Sequence, residues 1–203
     1  FVNVKDSLLF GLISQRMNVC LPLDFLKLTS AYGYRKDPVS NCTVFHNGID
    51  LQCNNAHVYA MLPGIIKKAH YGNKGYGNYI VLEHGIFECL YGHLSTITVH
   101  EGDAVTAGTI VAISGNTGKS TGPHLHIRLR KEGRSVDPGL FVDYLNGYIT
   151  QLQEKMMYLR FGTKPDRKLN IENLLAVLQQ YGVKFPQIVA AQALLETGYF
   201  TSR

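Results

Sequence analysis

The 203-residue sequence has no tryptophan, little charge (17% Asp, Glu, Lys and Arg) and no long apolar run. Low charge beside 45% hydrophobic residues excludes a chain kept unfolded by its own repulsion and leaves ample side chain for a core. The longest apolar runs, such as Leu8 to Ile13, fall far short of the roughly 20 residues that cross a bilayer as a helix, so no membrane-spanning helix is expected. Cys20, Cys42, Cys53 and Cys89 show no C-x-x-C spacing, which argues against a zinc ribbon or a thioredoxin-type site and leaves disulfide pairing open. No charged n-region precedes an apolar stretch after Phe1, so an export signal is not expected within these residues.

Twenty glycines and twelve tyrosines point instead to short strands joined by tight turns, hence a mainly β chain rather than a helical bundle. The net charge of +5 favours an anionic partner: nucleic acid, a membrane surface or an acidic wall polymer. No nucleic-acid motif accompanies the small clusters Lys67-Lys68 and Arg128 to Arg134, so nucleic acid is not expected as partner. Four segments follow from the patterns. An N-terminal stretch covers 1–20, and a β domain covers 21–143, with runs at Val58 to Met61, Tyr79 to Glu83, Thr109 to Ser114 and His124 to Leu129. In 144–168, Leu145, Ile149, Leu152, Met156 and Leu159 predict an amphipathic helix over Tyr144 to Phe161, ended by the linker Gly162 to Asp166. The remaining 169–203 reads as two short helices, too few residues for a core of their own.

The histidines carry the chemistry. His124-Leu125-His126 sits in an alternating segment, so both imidazoles face one side of a strand, about 6.6 Å apart. Arg128 shares their face. His46 and Asp50 are four apart around Asn47-Gly48, a dipeptide that must turn if both side chains are to reach one ion. His46, Asp50 and either His124 or His126 then form a two-histidine, one-carboxylate set with a fourth position open to water, the composition of a catalytic zinc site. A rival set would join Cys42 or Cys53 to His46 in a closed structural site. His57, His70, His84 and His100 are expected to be structural. Gly118-Lys119-Ser120 imitates the end of a phosphate-binding loop, yet Ile113 stands where its first glycine belongs and Gly122-Pro123 interrupts the helix that should follow.

Several segments resemble the lysostaphin and LytM type of zinc endopeptidase: Ser30 to Arg35, His46 to Asp50, Gly75-Tyr76-Gly77-Asn78, Glu83-His84-Gly85, Tyr91 to Leu94, Gly115 to Gly118 and Gly122 to His126. The resemblance covers about Leu21 to Pro138. It implies an antiparallel β-sheet domain with a groove, one zinc ion per chain held by His46, Asp50 and His126, and His93 and His124 assisting catalysis. It further implies hydrolysis of peptide cross-links in bacterial peptidoglycan, in the periplasm, cell envelope or outside the cell. Where the family usually has an aromatic and an acidic residue, this chain has Ile127 and Arg128, and Arg128 is expected either to bind a stem-peptide carboxylate in the groove or to face solvent at its rim. The tail, Tyr181 to Pro186 and Gln192 to Gly198, resembles the opening of a lysozyme-like glucosaminidase, which would place an acid at Glu196. Seven residues follow Glu196, so an incomplete glycosidase site is expected, with a docked helix preferred. The alternatives to an endopeptidase are a non-catalytic wall-binding module that kept the fold, and the first part of a bifunctional peptidase and glucosaminidase.

Overall fold

The computed structural model describes residues 3–36 and 42–162. The chain divides into two compact units, Phe1–Met156 and Met157–Arg203. The expected tail helices and Glu196 lie outside the described residues.

The first unit opens with helix α1, Val4–Met17. Twelve strands follow: β1 Leu28–Ser30, β2 Gly33–Lys36, β3 Thr43–His46, β4 Ile49–Gln52, β5 His57–Tyr59, β6 Gly64–His70, β7 Asn78–His84, β8 Phe87–Ile97, β9 Ala104–Val105, β10 Ile110–Ser114, β11 His124–Lys131 and β12 Arg134–Val136. Helix α2 spans Pro138–Phe161. Ten strands form one sheet along the path β1-β4-β11-β8-β7-β6-β9, with β12 added to β11, and β10 to β5 and β8. β2 and β3 form a separate pair. Every pairing is antiparallel, as the mainly β reading required.

The alternation of β11 sets the two sides of the sheet. Leu125, Ile127 and Leu129 are buried in a core with Val58, Ile80, Leu82, Tyr91, Leu94 and Val111, whereas His124, His126 and Arg128 take the opposite face. α2 presses Val142, Leu145, Ile149 and Leu152 onto that core at three-and-four spacing. It starts at Pro138 rather than Tyr144: the Asp137 carboxylate accepts the Gly139 N–H at 2.7 Å, and proline suits a first helical position because its missing N–H has no partner there anyway. α1 arises where the sequence predicted no helix. Its Asn3 side chain caps it by accepting the Asp6 N–H at 2.8 Å, and none of its residues is buried, so no apolar stripe announces it. No described helix is long and apolar enough to cross a membrane.

Candidate metallopeptidase site

β3 ends at His46 and β4 begins at Ile49, so the chain turns at Asn47-Gly48 as the spacing demanded. The turn brings His46 Nε2 to 3.3 Å from Asp50 Oδ1. Pairing of β4 with β11 sets His126 opposite Asp50, which places His126 Nδ1 2.8 Å from the same carboxylate oxygen. His46 Nε2 and His126 Nδ1 are themselves 3.2 Å apart. His46, Asp50 and His126 are all buried and form a group able to hold a metal ion; no cysteine belongs to it. Cys20, Cys53 and Cys89 are free thiols.

Each histidine around this group has a defined ring orientation. His46 Nδ1 lies 2.9 Å from the Ala31 carbonyl, His93 Nδ1 2.7 Å from that of Thr117, and His124 Nδ1 2.8 Å from that of Gly122. A carbonyl only accepts, so each Nδ1 carries the proton and each Nε2 presents its lone pair. The false phosphate loop finds its use here, since Ser120 Oγ also contacts His124 Nδ1 at 3.2 Å.

His93 reaches the site by breaking a strand rule. In regular β8 it would share the core side with Tyr91, because Tyr91 pairs with Ile127 and Gly92 with His126. Its φ of 60° turns it toward the metal-ligating group, 4.6 Å from His124 and 5.8 Å from His126 between ring centroids. A non-glycine residue in that conformation costs about 1–3 kcal/mol, held here by the Thr117 carbonyl.

The five residues border a cleft of about 930 Å³ whose wall includes Arg35, Lys36, Phe45 and the 118–123 loop. Arg35 Nη2 contacts Asp50 Oδ2 at 3.6 Å, which leaves Oδ1 to the histidines. Arg128 does not line this cleft. Its guanidinium lies over the Tyr76 ring, 5.4 Å from the centroid, and donates to the Tyr76 hydroxyl at 3.3 Å. The side shared with the histidines follows from alternation, but the neighbour that captures Arg128 does not. Arg35, Tyr76, Thr117 and Ser120 were not singled out in the sequence as site residues; their only signal was membership of the motifs that carry the resemblance. His57, His70, His84 and His100 stay outside the metal-ligating group.

Burial opposes ionisation of Asp50, but hydrogen bonds and charge from His126 and His46 outweigh it and hold the carboxyl well below the usual carboxylate range. Burial lowers His126, and lowers His93 to about 4. Both imidazoles are therefore neutral near pH 7, the form a ligand or a proton acceptor needs. Unfolded imidazoles protonate near 6.5, so between that value and 4 the unfolded chain binds more protons and folding weakens as pH falls. Asp50 adds nothing in that window, because a depressed carboxyl loses its contribution only below its unfolded value of 3.8. The chelated protein should lose roughly 5 °C or more of melting temperature between about pH 7 and about pH 4.5. A flat calorimetric profile over that range would contradict the burial argument.

An antiparallel sheet whose cleft is floored by two histidines and a carboxylate, with two further imidazoles alongside, defines a metallopeptidase. Residues 44–138 match peptidase family M23, to which the chain belongs. It is 34% identical to the catalytic domain of the antimicrobial peptidase lysostaphin from Staphylococcus simulans, covering 58% of this chain and 92% of that one at a TM-score of 0.52. A zinc containing peptidase from Vibrio cholerae is 35% identical over 60% of this chain and 38% of its own, at a TM-score of 0.50. The peptidoglycan DD-endopeptidase ShyA of Vibrio cholerae is 40% identical over 106 residues, 51% of this chain and 24% of its own. The chain spans about a quarter of the length of the curated relatives it matches.

Proposed function

We propose that this chain is a zinc-dependent endopeptidase that hydrolyses peptide cross-links of bacterial peptidoglycan, acting in the cell envelope or outside the cell. The observation that carries the reading is the convergence of His46 Nε2, Asp50 Oδ1 and His126 Nδ1 with separations of 3.2, 3.3 and 2.8 Å. Two neutral imidazoles cannot both turn lone pairs on one carboxylate oxygen without a proton or a cation between them. Tetrahedral zinc with bonds of about 2.0–2.1 Å separates its ligand atoms by roughly 3.3 Å, so the trio fits the ion with little movement. Asp50 remains ionised, which suits a divalent cation.

Zinc held there would supply Lewis acidity to the scissile carbonyl and activate water near neutral pH. The other steps belong to this chain's own side chains. His93 and His124 present Nε2 lone pairs beside the ligands, so the pair accepts the proton of the attacking water and returns it to the departing amine. Once protonated, the same imidazoles donate to the oxyanion. Arg35 and Lys36 add positive charge to the cleft wall, suited to a stem peptide that bears carboxylates.

Purified peptidoglycan incubated with the protein should gain new amine ends, identified by mass spectrometry. A chelator should abolish them and added zinc restore them. Cleavage indifferent to the chelator, or no new ends with zinc present, would remove the proposal.

A further inference from the structure

Of the four imidazoles in the site, three are pinned by a backbone carbonyl, and His126 is not. It is 4% exposed, and its Nε2 is buried with no hydrogen-bond partner. A metal-ligating histidine normally gives its second nitrogen to an acceptor, which sets the ring's plane. Something else must hold this one. The Tyr76 ring stacks on it, with centroids 5.2 Å apart and planes at 29°, while the turn backbone at Gly48 crowds its other atoms so closely that a Cβ there would stand 2.7 Å from Nε2.

Tyr76 is itself fastened at its far end. Asn47, in the turn between two of the ligand-bearing strands, donates Nδ2–H to the Tyr76 hydroxyl at 2.9 Å, and Asn47 Oδ1 lies 3.2 Å from it. Arg128 donates to the same hydroxyl at 3.3 Å and lies over the ring. At its backbone, the Tyr76 carbonyl accepts the His93 N–H at 2.8 Å. One side chain thus spans from the turn that carries His46 and Asp50 to the ring of His126.

We propose that Tyr76, fastened by Asn47 and Arg128, is the positioning residue of His126, its stacked ring setting the imidazole plane that elsewhere a hydrogen bond sets. This rests on the zinc reading above. It assigns Arg128 a function remote from substrate: the charged donor anchors the stacking ring, and no contact with a stem-peptide carboxylate is required. Stacked aromatic pairs at this separation contribute on the order of 1 kcal/mol each, and a guanidinium over a ring a comparable amount.

The test is zinc affinity, measured by competition with a chromophoric chelator at fixed pH, beside the melting temperature of the metal-free protein. Tyr76→Leu should weaken zinc binding about 10- to 100-fold, the usual cost of losing a group that orients a ligand. Tyr76→Phe keeps the ring and should recover most of that loss. Arg128→Met leaves the ring in place but removes its charged anchor, and should weaken binding severalfold; it carries the test alone if Tyr76→Leu does not fold. Wild-type zinc affinity in folded Tyr76→Leu or in Arg128→Met, whatever the melting temperature does, overturns the proposal. A wild-type protein that binds no zinc sinks the reading beneath it, whereas a binding wild type with unaffected variants sinks this inference alone.

Discussion

His93→Ala is expected to keep its zinc and lose turnover by about 10²- to 10⁴-fold, the usual contribution of a positioned acid or base. His126→Ala is expected to lose both. The contrast follows from which atoms converge. His126 Nδ1 is one of three donors within ligand-to-ligand distance, so its removal leaves two, too few for tetrahedral zinc to resist dilution. His93 stands beside the trio, its ring centroid 5.8 Å from that of His126, and its Nδ1 is committed to Thr117. Removing it deletes a proton acceptor and relieves a strained residue, so the metal-free His93→Ala protein should be no less stable than the wild type. Metal content after exhaustive dialysis, read beside turnover on purified peptidoglycan, decides the matter. A zinc-free His93→Ala, or a zinc-replete His126→Ala, would reverse the assignment of the two side chains.

Sequence pattern carried the parts of this site that obey regular geometry. Alternation in β11 put His124, His126 and Arg128 on one face, and the turn-forming Asn47-Gly48 pair brought His46 and Asp50 together. The antiparallel sheet was equally accessible, because short β-branched runs between glycines have few other ways to bury their side chains. What escaped the pattern were departures from period two and contacts across the chain. His93 lies on the wrong parity of β8 and reaches the site only through a positive φ, which no alternation rule anticipates; only the resemblance singled it out. Tyr76 sits between two glycines in a turn, where no periodicity marks its partner 50 residues on. Arg128 was placed on the correct face, yet alternation says nothing of which neighbour captures it. α1 lacks a buried stripe, and α2 gained its first turn from the Asp137 cap rather than from apolar spacing.

Gly48→Ala should be the most damaging single methyl group in the site. A Cβ at Gly48 would stand 2.6 Å from His126 Cε1 and 2.7 Å from Nε2, and against the Ile127 carbonyl oxygen. Neither neighbour yields cheaply. The Ile127 carbonyl belongs to β11, where Ile127 pairs with Ile49 of β4, so backing away opens the ladder that sets His126 opposite Asp50. The imidazole cannot tilt aside without sliding across the Tyr76 ring stacked on it. Overpacking of this kind costs about 1–3 kcal/mol of stability. The larger loss should fall on the metal, because a ring displaced by a fraction of an ångström no longer aims Nδ1 at the other two donors. We expect zinc affinity to fall by about 100-fold or more and turnover with it. Gly147→Ala makes the contrast: that residue lies within α2 with nothing within 4 Å of a Cβ, and the exchange should stabilise the protein by about 0.5–1 kcal/mol while zinc binding stays as it was. Chelator competition and thermal melts on both variants measure the two effects separately. Wild-type zinc affinity in Gly48→Ala would mean that His126 is not held against the turn and that the close packing around the ligand trio does not control its aim.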